Sequence, residues 1–224
     1  VRPLAIVAAR VMTGSRLNDL IAEGLLPAEP ARGHWSVKEA VLPFNRFPET
    51  DALLGPEMRS TGEVMGIDVD PGLAFVKSQL AAGTTLVVGG TVFLSLADRD
   101  KPQGIEVARM LAALGCEFVA TAGTAVALEE AGLSVNQVLR RLDDGGPNAI
   151  TLIEEGRVDL VINTPRGRGA RADGAYIRTA AAQNGIALVT TVAAARAAAT
   201  GLTRWKQQPF QVRSLQSVHA AARS

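Results

Sequence analysis

From Gly83 onward the chain keeps one rhythm, a short and continuously apolar run followed by a longer segment of helical character. The runs Thr91–Leu96, Phe118–Thr121, Asp159–Asn163 and Ala187–Val192 read as strands, and a fifth short strand falls near Val138–Leu142. Helices are expected at Gln103–Leu114, Ala125–Ala131, Ala149–Glu155, Gly174–Asn184 and Ala193–Ala199. A strand with one wet face alternates apolar and polar residues, whereas a strand covered on both faces does not; these runs do not alternate. A helix between successive strands carries the chain back to the end it left, which makes neighbouring strands parallel. The expectation is an α/β protein with a doubly wound parallel sheet of about five strands. Composition agrees, since aromatics are 4% of residues and hydrophobics 47%, the signature of an Ala/Val/Leu core rather than an aromatic-rich β-sandwich.

Residues 1–83 have a different texture. A helix-like Val1–Leu20 leads into a Pro/Gly-rich link, Gly24–Gly33, and a strand-like Trp35–Phe44; the turn-rich Phe47–Gly55 precedes a second strand-like run, Arg59–Ile67. An amphipathic helix follows over Pro71–Ala82, with Asp70 placed to cap it and Pro71 in the first turn, where a missing N–H costs nothing. These pieces offer too little for an independent core, so 1–83 reads as cut from something larger and 84–224 as a whole domain. A length of 224 residues fits one domain plus a partial one.

Counting excludes several chemistries. One cysteine, Cys116, permits neither a disulfide framework nor a Cys-based metal cluster, and its place between a helix end and an apolar strand suits packing. His34 and His219 are isolated and far apart, which argues against a His-based metal site and a Ser-His-Asp triad. No apolar run approaches the roughly 20 residues that span a bilayer, and the N-terminus lacks a signal-peptide layout, so a cytoplasmic protein without a membrane partner is expected. The net charge of +1 hides an asymmetry: residues 174–224 carry six cations and no acid, while residues 1–173 carry 17 cations and 22 acids. That basic block is either a solvated, partner-facing surface or an attraction for phosphate or an acidic neighbouring domain. Nucleic acid is not expected as a partner, because no stacking aromatics interleave with the cations. Gly167-Arg168-Gly169-Ala170-Arg171-Ala172 fits G-x-G-x-x-A, but no acid follows Asp173 to hold a dinucleotide ribose.

In a doubly wound sheet, ligands lie beyond the carboxyl ends of the strands. Those ends carry Ala97-Asp98-Arg99-Asp100-Lys101, Thr121-Ala122-Gly123-Thr124, Asn163-Thr164-Pro165-Arg166-Gly167-Arg168 and Thr190-Thr191. At the second of these a strand passes into a helix, so Gly123 lets the backbone approach a ligand while Thr124 and the first-turn N–H groups face an anion. Read alone, Thr124 is better explained as a helix cap, Lys101 as a surface lysine and Asn163 as a strand terminator. The Arg166, Arg168 and Arg171 loop is equally a phosphate screen or a solvated loop.

Leu42-Pro43-Phe44-Asn45-Arg46-Phe47-Pro48, followed by Leu54-Gly55-Pro56-Glu57-Met58-Arg59-Ser60-Thr61-Gly62-Glu63-Val64-Met65-Gly66, is long, ungapped and chemically unusual. It resembles the end of the second ATP-grasp half of carbamoyl phosphate synthetase large subunits. The resemblance continues through Gly90–Ser95, Ala120–Ala125 and Val161–Thr164, and covers essentially the whole chain. It implies a remnant of that catalytic half over 1–83, joined to the family's methylglyoxal-synthase-like allosteric domain over 84–224. The full-length enzyme it implies is an ATP-dependent, glutamine-hydrolysing ligase that makes carbamoyl phosphate from bicarbonate, ammonia and two ATP, for arginine and pyrimidine synthesis. Its cofactors would be ATP, Mg (or Mn) and K. Its partners would be the rest of the large subunit and a small glutamine amidotransferase subunit, in an oligomer of heterodimers. The groups that hold Mg-ATP would lie upstream of Val1, leaving this chain without catalytic residues, cofactor or metal, and inactive alone.

The same resemblance implies an allosteric nucleotide site for UMP or IMP at Lys101, Thr121, Gly123, Thr124, Asn163 and Thr164, with Arg140 or Arg141 as a further cation. A one-residue length difference leaves the choice of arginine open. Glu63 and Thr190 match ornithine-binding positions, but Leu188 stands where ornithine-responsive members have tyrosine, and Ala122 and Pro165 also depart from the enteric pattern. Two other readings compete. A free-standing methylglyoxal synthase shares the fold and resembles the chain at Thr121–Thr124. Its Gly-Gly-Asp-Gln-Gln segment is replaced here by Asp143-Asp144-Gly145-Gly146-Pro147, and its His-Asp-Pro loop by Pro165–Arg168, which removes the base and the histidine needed for proton abstraction. The other is an assembly module that binds no ligand.

Overall fold

A computed structural model of the chain describes residues 3–27, 33–47, 52, 53, 55–140, 148–165 and 172–221. They divide into two compact units, 1–33 with 213–224, and 34–212. The first contains α1 (Leu4–Met12), α2 (Leu17–Ala22) and a C-terminal helix over Leu215–Ala221. The single helix expected over Val1–Leu20 is broken after Met12: Gly14 takes φ +102°, which side-chain-bearing residues rarely adopt, and the Thr13 hydroxyl donates back to the Ala9 and Arg10 carbonyls. Arg10 holds Glu23 with two hydrogen bonds, one of them 3.0 Å long.

The second unit opens with an antiparallel hairpin, β1 (Trp35–Val41) and β2 (Gly62–Asp68), in a register that sets Trp35 opposite Asp68 and Val41 opposite Gly62. The next helix, α3 (Pro71–Ala81), begins as its sequence requires, with the Asp70 carboxylate accepting from the N–H groups of Gly72 at 2.8 Å and Leu73 at 3.1 Å. The hairpin lies flush on α3: a Cβ at Gly66 would run into the Ala74 carbonyl and the Ser78 nitrogen. Lys77 of α3 binds Asp68 at 2.6 Å, and Gln79 donates to Glu39 at 2.7 Å.

The rest of this unit runs β3 (Gly90–Ser95), α4 (Lys101–Ala113), β4 (Cys116–Thr121), α5 (Ala122–Glu130), β5 (Gln137–Leu139), α6 (Ala149–Glu154), β6 (Leu160–Asn163), α7 (Ala172–Gln183), β7 (Ala187–Val189) and α8 (Val192–Gln207). The five strands form a parallel sheet in the order β5-β4-β3-β6-β7, so the expected doubly wound α/β fold is present. Both faces are covered. Val92, Leu94, Phe118, Ala120, Leu160, Ile162, Ala187 and Val189 share one core cluster with α4, α5 and α8. Phe93, Val119, Leu139 and Val161 share the other with α6 and α7. Successive residues point to opposite faces, and each face finds an apolar layer, which is why the strands read as unbroken apolar runs.

Several boundaries differ from the expected ones. The helix expected from Ala125 starts at Ala122 and takes Gly123 and Thr124 into its first turn. The strand expected to reach Val192 stops at Val189, because the Thr191 side chain accepts from the Ala194 N–H at 3.2 Å and caps α8. That helix then runs to Gln207 rather than Ala199, with Arg204 and Lys206 in its last turn, where cations suit the helix dipole. Helices α3 and α8 cross closely at Gly72 and Gly201: a Cβ at Gly201 would meet the Gly72 carbonyl and the Val76 side chain. Arg204 pairs with Asp70 across the same crossing, at 3.1 Å. The hairpin and α3 thus share the compact unit of the sheet, while the expected division at residue 83 follows the resemblance. Among the described residues no helix is long and apolar enough to cross a membrane.

Candidate functional site

The strand order reverses direction between β3 and β6. The chain winds outward through β4 and β5, then returns to the other side of β3, so the crevice at the carboxyl ends of β3 and β6 is the switch point. There Ser95 pairs with Asn163, and the Thr164 N–H donates to the Ser95 carbonyl at 3.0 Å. Beyond Ser95 the β3 backbone leaves the ladder, and its next two N–H groups are taken by hydroxyls from neighbouring elements. Leu96 N–H donates to Thr124 Oγ1 at 3.0 Å and Ala97 N–H to Thr164 Oγ1 at 2.8 Å. Both threonines are buried, at 1% and 4% exposure. Thr121 Oγ1 donates to Thr124 Oγ1 at 3.2 Å.

Thr124 is therefore not a helix cap. It occupies the third position of α5, its hydroxyl crosses to β3, and the N-cap position belongs to Thr121, whose side chain makes no capping bond. The first turn of α5, with Gly123 in it, starts at the carboxyl edge, and among the described residues no side chain caps its N–H groups.

Asn163 is buried, and its Oδ1 accepts from Arg178 Nη1 of α7 at 2.9 Å. Arg178 is itself only 5% exposed. Gly174, one helical turn earlier, leaves room for the pair: a Cβ there would lie 3.1 Å from Arg178 Nη1 and 3.6 Å from Asn163 Oδ1. The sequence reading placed Arg178 in the basic block and missed this role. Its one signal is the Gly174/Arg178 spacing of four, which puts both residues on one helix face.

Lys101 is the first residue of α4, at the same edge, with Nζ 2.7 Å from Asp98 Oδ1 and a side chain 22% exposed. Arg99 Nη2 donates to the Pro165 carbonyl at 3.0 Å, tying the turn after β3 to the segment after β6. Arg140 is exposed one residue past Leu139, the strand partner of Thr121. Arg141, the Asp143–Pro147 segment and the Arg166, Arg168 and Arg171 loop lie outside the described residues. Topology thus gathers Lys101, Thr121, Gly123, Thr124, Arg140, Asn163 and Thr164 at one edge of the sheet.

Glu63 and Thr190 are placed differently. Glu63 is exposed on β2 and pairs with Lys38 at 2.9 Å, while Thr190 follows β7 and is half-buried. Among the described residues no hydrogen bond or ion pair joins them. Leu188 packs against the α6/α7 core cluster, so its side chain lies on a sheet face. Burial pushes the Cys116 thiol up, which leaves it a packing residue. Among the described residues no group of three or more His, Cys, Asp or Glu suits a metal ion.

Comparison with known proteins gives this geometry a family. Residues 103–190 match the model of the MGS-like domain. Over 220 residues, 97% of the chain, it is 48% identical to the carbamoyl phosphate synthase large chain of Ralstonia nicotianae, of which it covers 20%. With the Synechocystis large chain it shares 45% identity over 216 residues, 96% of this chain and 20% of that one. A protein of Methanopyrus kandleri named carbamoyl phosphate synthase large chain, C-terminal section, is 44% identical over 219 residues, 97% of this chain and 40% of that protein. The chain therefore spans a fifth to two-fifths of the length of these relatives.

Proposed function

The chain is homologous over nearly its whole length to carbamoyl phosphate synthase large chains, and on that premise we propose that it is the regulatory C-terminal part of such a chain, binding a nucleoside monophosphate such as UMP, or IMP, at the carboxyl edge of its sheet. The observation that supports this reading most is the switch point itself, where an uncapped helix start, Lys101 and Arg140 surround a closed seam of hydroxyls and one amide. Lys101, Thr121, the first-turn N–H groups of Gly123 and Thr124, and Arg140 or Arg141 hold the phosphate. Asn163 and Thr164 face the ribose or base. Division of the sequence near residue 83, into an ATP-grasp remnant and the allosteric domain, belongs to the same proposal.

In the longer protein this part would serve an ATP-dependent ligase that works with a small glutamine amidotransferase subunit in the cytoplasm, in an oligomer of heterodimers. ATP, Mg or Mn, and K would be its cofactors. On the same reading, Mg-ATP binding is assigned to the remainder of the large chain, and the expectation is that this chain alone is inactive, which an assay of ATP hydrolysis by the purified chain tests. Ornithine binds weakly or not at all, since Leu188 offers neither an aromatic wall nor a hydroxyl, although Glu63 and Thr190 remain.

Calorimetric titration tests the site. UMP is expected to bind, uridine far more weakly, and Lys101→Ala to weaken UMP about tenfold, because a hydrogen bond to a charged group is worth about 1.5–3 kcal/mol. Equal binding of uridine and UMP, or no effect of Lys101→Ala, overturns the phosphate site.

A further inference from the structure

We propose that Arg178 is a positioning residue that fixes the Asn163 amide with its nitrogen toward the crevice, so that the site selects a base with a carbonyl edge over one with an amino edge. The inference rests on the effector reading above and adds to it the choice between bases.

The orientation follows from donor chemistry. A guanidinium has only N–H donors, so the atom that Asn163 turns toward Arg178 must be its carbonyl oxygen. That contact is 2.9 Å long, between two residues at 4% and 5% exposure, in a space that a side chain at position 174 would crowd. Rotating the amide would set two donors face to face in a buried place, at the full cost of an unmade hydrogen bond. Asn163 makes no other side-chain hydrogen bond, yet among the described residues no buried side-chain nitrogen or oxygen lacks a partner. Its Nδ2, without a partner among the described residues, is therefore not sealed from solvent, and Asn163 itself ends β6 at the carboxyl edge, next to the seam formed by Thr164 and Ala97.

A locked donor reads only acceptors. A ribose hydroxyl both donates and accepts and would satisfy either amide orientation, so the lock has a consequence only for a base. Uracil and hypoxanthine present a carbonyl where cytosine and adenine present an amino group, and an amino group facing Nδ2 leaves both donors unpaired. Thr124 and Thr164 accept from backbone N–H groups but keep a hydroxyl proton that can rotate, so neither tells a carbonyl from an amino group; among these residues the fixed Asn163 amide is the group that does.

The test is titration of the chain with UMP and CMP, which differ at this edge. UMP is expected to bind about tenfold or more tightly than CMP, the loss produced by one unpaired polar group. Arg178→Lys, still a donor only, keeps the preference. Arg178→Met releases the amide and brings the UMP/CMP ratio close to one. Asn163→Asp presents an acceptor in place of the donor, and the preference reverses toward CMP. If Arg178→Met does not fold, the wild-type ratio and the Asn163→Asp reversal decide alone. Equal binding of UMP and CMP by the wild type, or an unchanged ratio in a folded Arg178→Met, overturns the inference while leaving the effector site standing. Absence of UMP binding removes the effector reading itself, and this inference with it.

Discussion

The five-stranded sheet and the β1–β2 hairpin belong to one compact unit, yet they handle polar residues in opposite ways. At the carboxyl edge of the sheet, Thr124, Asn163, Thr164 and Arg178 are buried and bound to backbone or to each other. On the hairpin, Lys38 and Glu63 pair with 66% and 59% of their side chains exposed. The hairpin pair carries full charges and most of the edge residues carry none, yet burial gives the edge the greater energetic weight. A buried donor that loses its partner keeps the whole cost of having left water, whereas an exposed charge that loses its partner is simply hydrated. Only the sheet edge can therefore hold a fixed arrangement of donors and acceptors for a ligand to meet.

The largest effect that bears on this contrast lies in the core beneath the edge. Phe93 is fully buried among α6 and α7 residues, and Phe93→Ala is expected to cost about 3–5 kcal/mol in chemical denaturation. Thr124→Val comes next: it keeps the shape but orphans the Leu96 N–H, for a loss of about 1–3 kcal/mol, while Thr124→Ser retains the bond and loses less. A harmless Thr124→Val would break the comparison at its strong side.

The foot of the hairpin supplies an intermediate case. Burial by itself would push the Asp68 carboxyl up, but hydrogen bonds from Lys77 and from the N–H groups of Asp70 and Val69 together hold it below its ordinary value. The folded state thus prefers the ionised form more than the unfolded state does. This stability is present above the ordinary carboxylate value and is lost as pH falls through the lowered folded value. Denaturation midpoints measured across that acid range should decline less steeply in Asp68→Asn than in the wild type; parallel declines would remove Asp68 from the account. Smallest of all, Lys38→Ala and Glu63→Ala are each expected to change stability by less than about 1 kcal/mol, and the effect should shrink further in salt. If either costs as much as Thr124→Val, exposure does not separate the two regions.

The sheet was legible because continuous apolar runs at Thr91–Leu96 and Asp159–Asn163 require cover on both faces, a constraint that acts within each strand. The start of α3 was legible for a similarly local reason, the Asp70-Pro71 pair. The interior of the candidate site was not. Nothing in Thr121-Ala122-Gly123-Thr124 tells that the last hydroxyl crosses to Leu96 instead of capping its own helix, because the partner lies 28 residues away. Arg178 was hidden for the same reason. A cation in a basic block reads as solvated until α7 is laid on the sheet and Asn163 is found beneath it, 15 residues back along the chain.

The bare crossing of α3 and α8 bears on inheritance. With Gly72 and Gly201 back to back, a side chain at Gly201 requires the α3 backbone to shift, and one at Gly72 would press on the Gly201 backbone. Natural variants should then retain glycine at both positions or change them in concert. A recombinant joined near residue 83 brings α3 from one parent against α8 from another, so it should survive only where both parents carry the paired glycines. The sheet and the hairpin would thus descend as one heritable block, even though their sequences differ so much in texture.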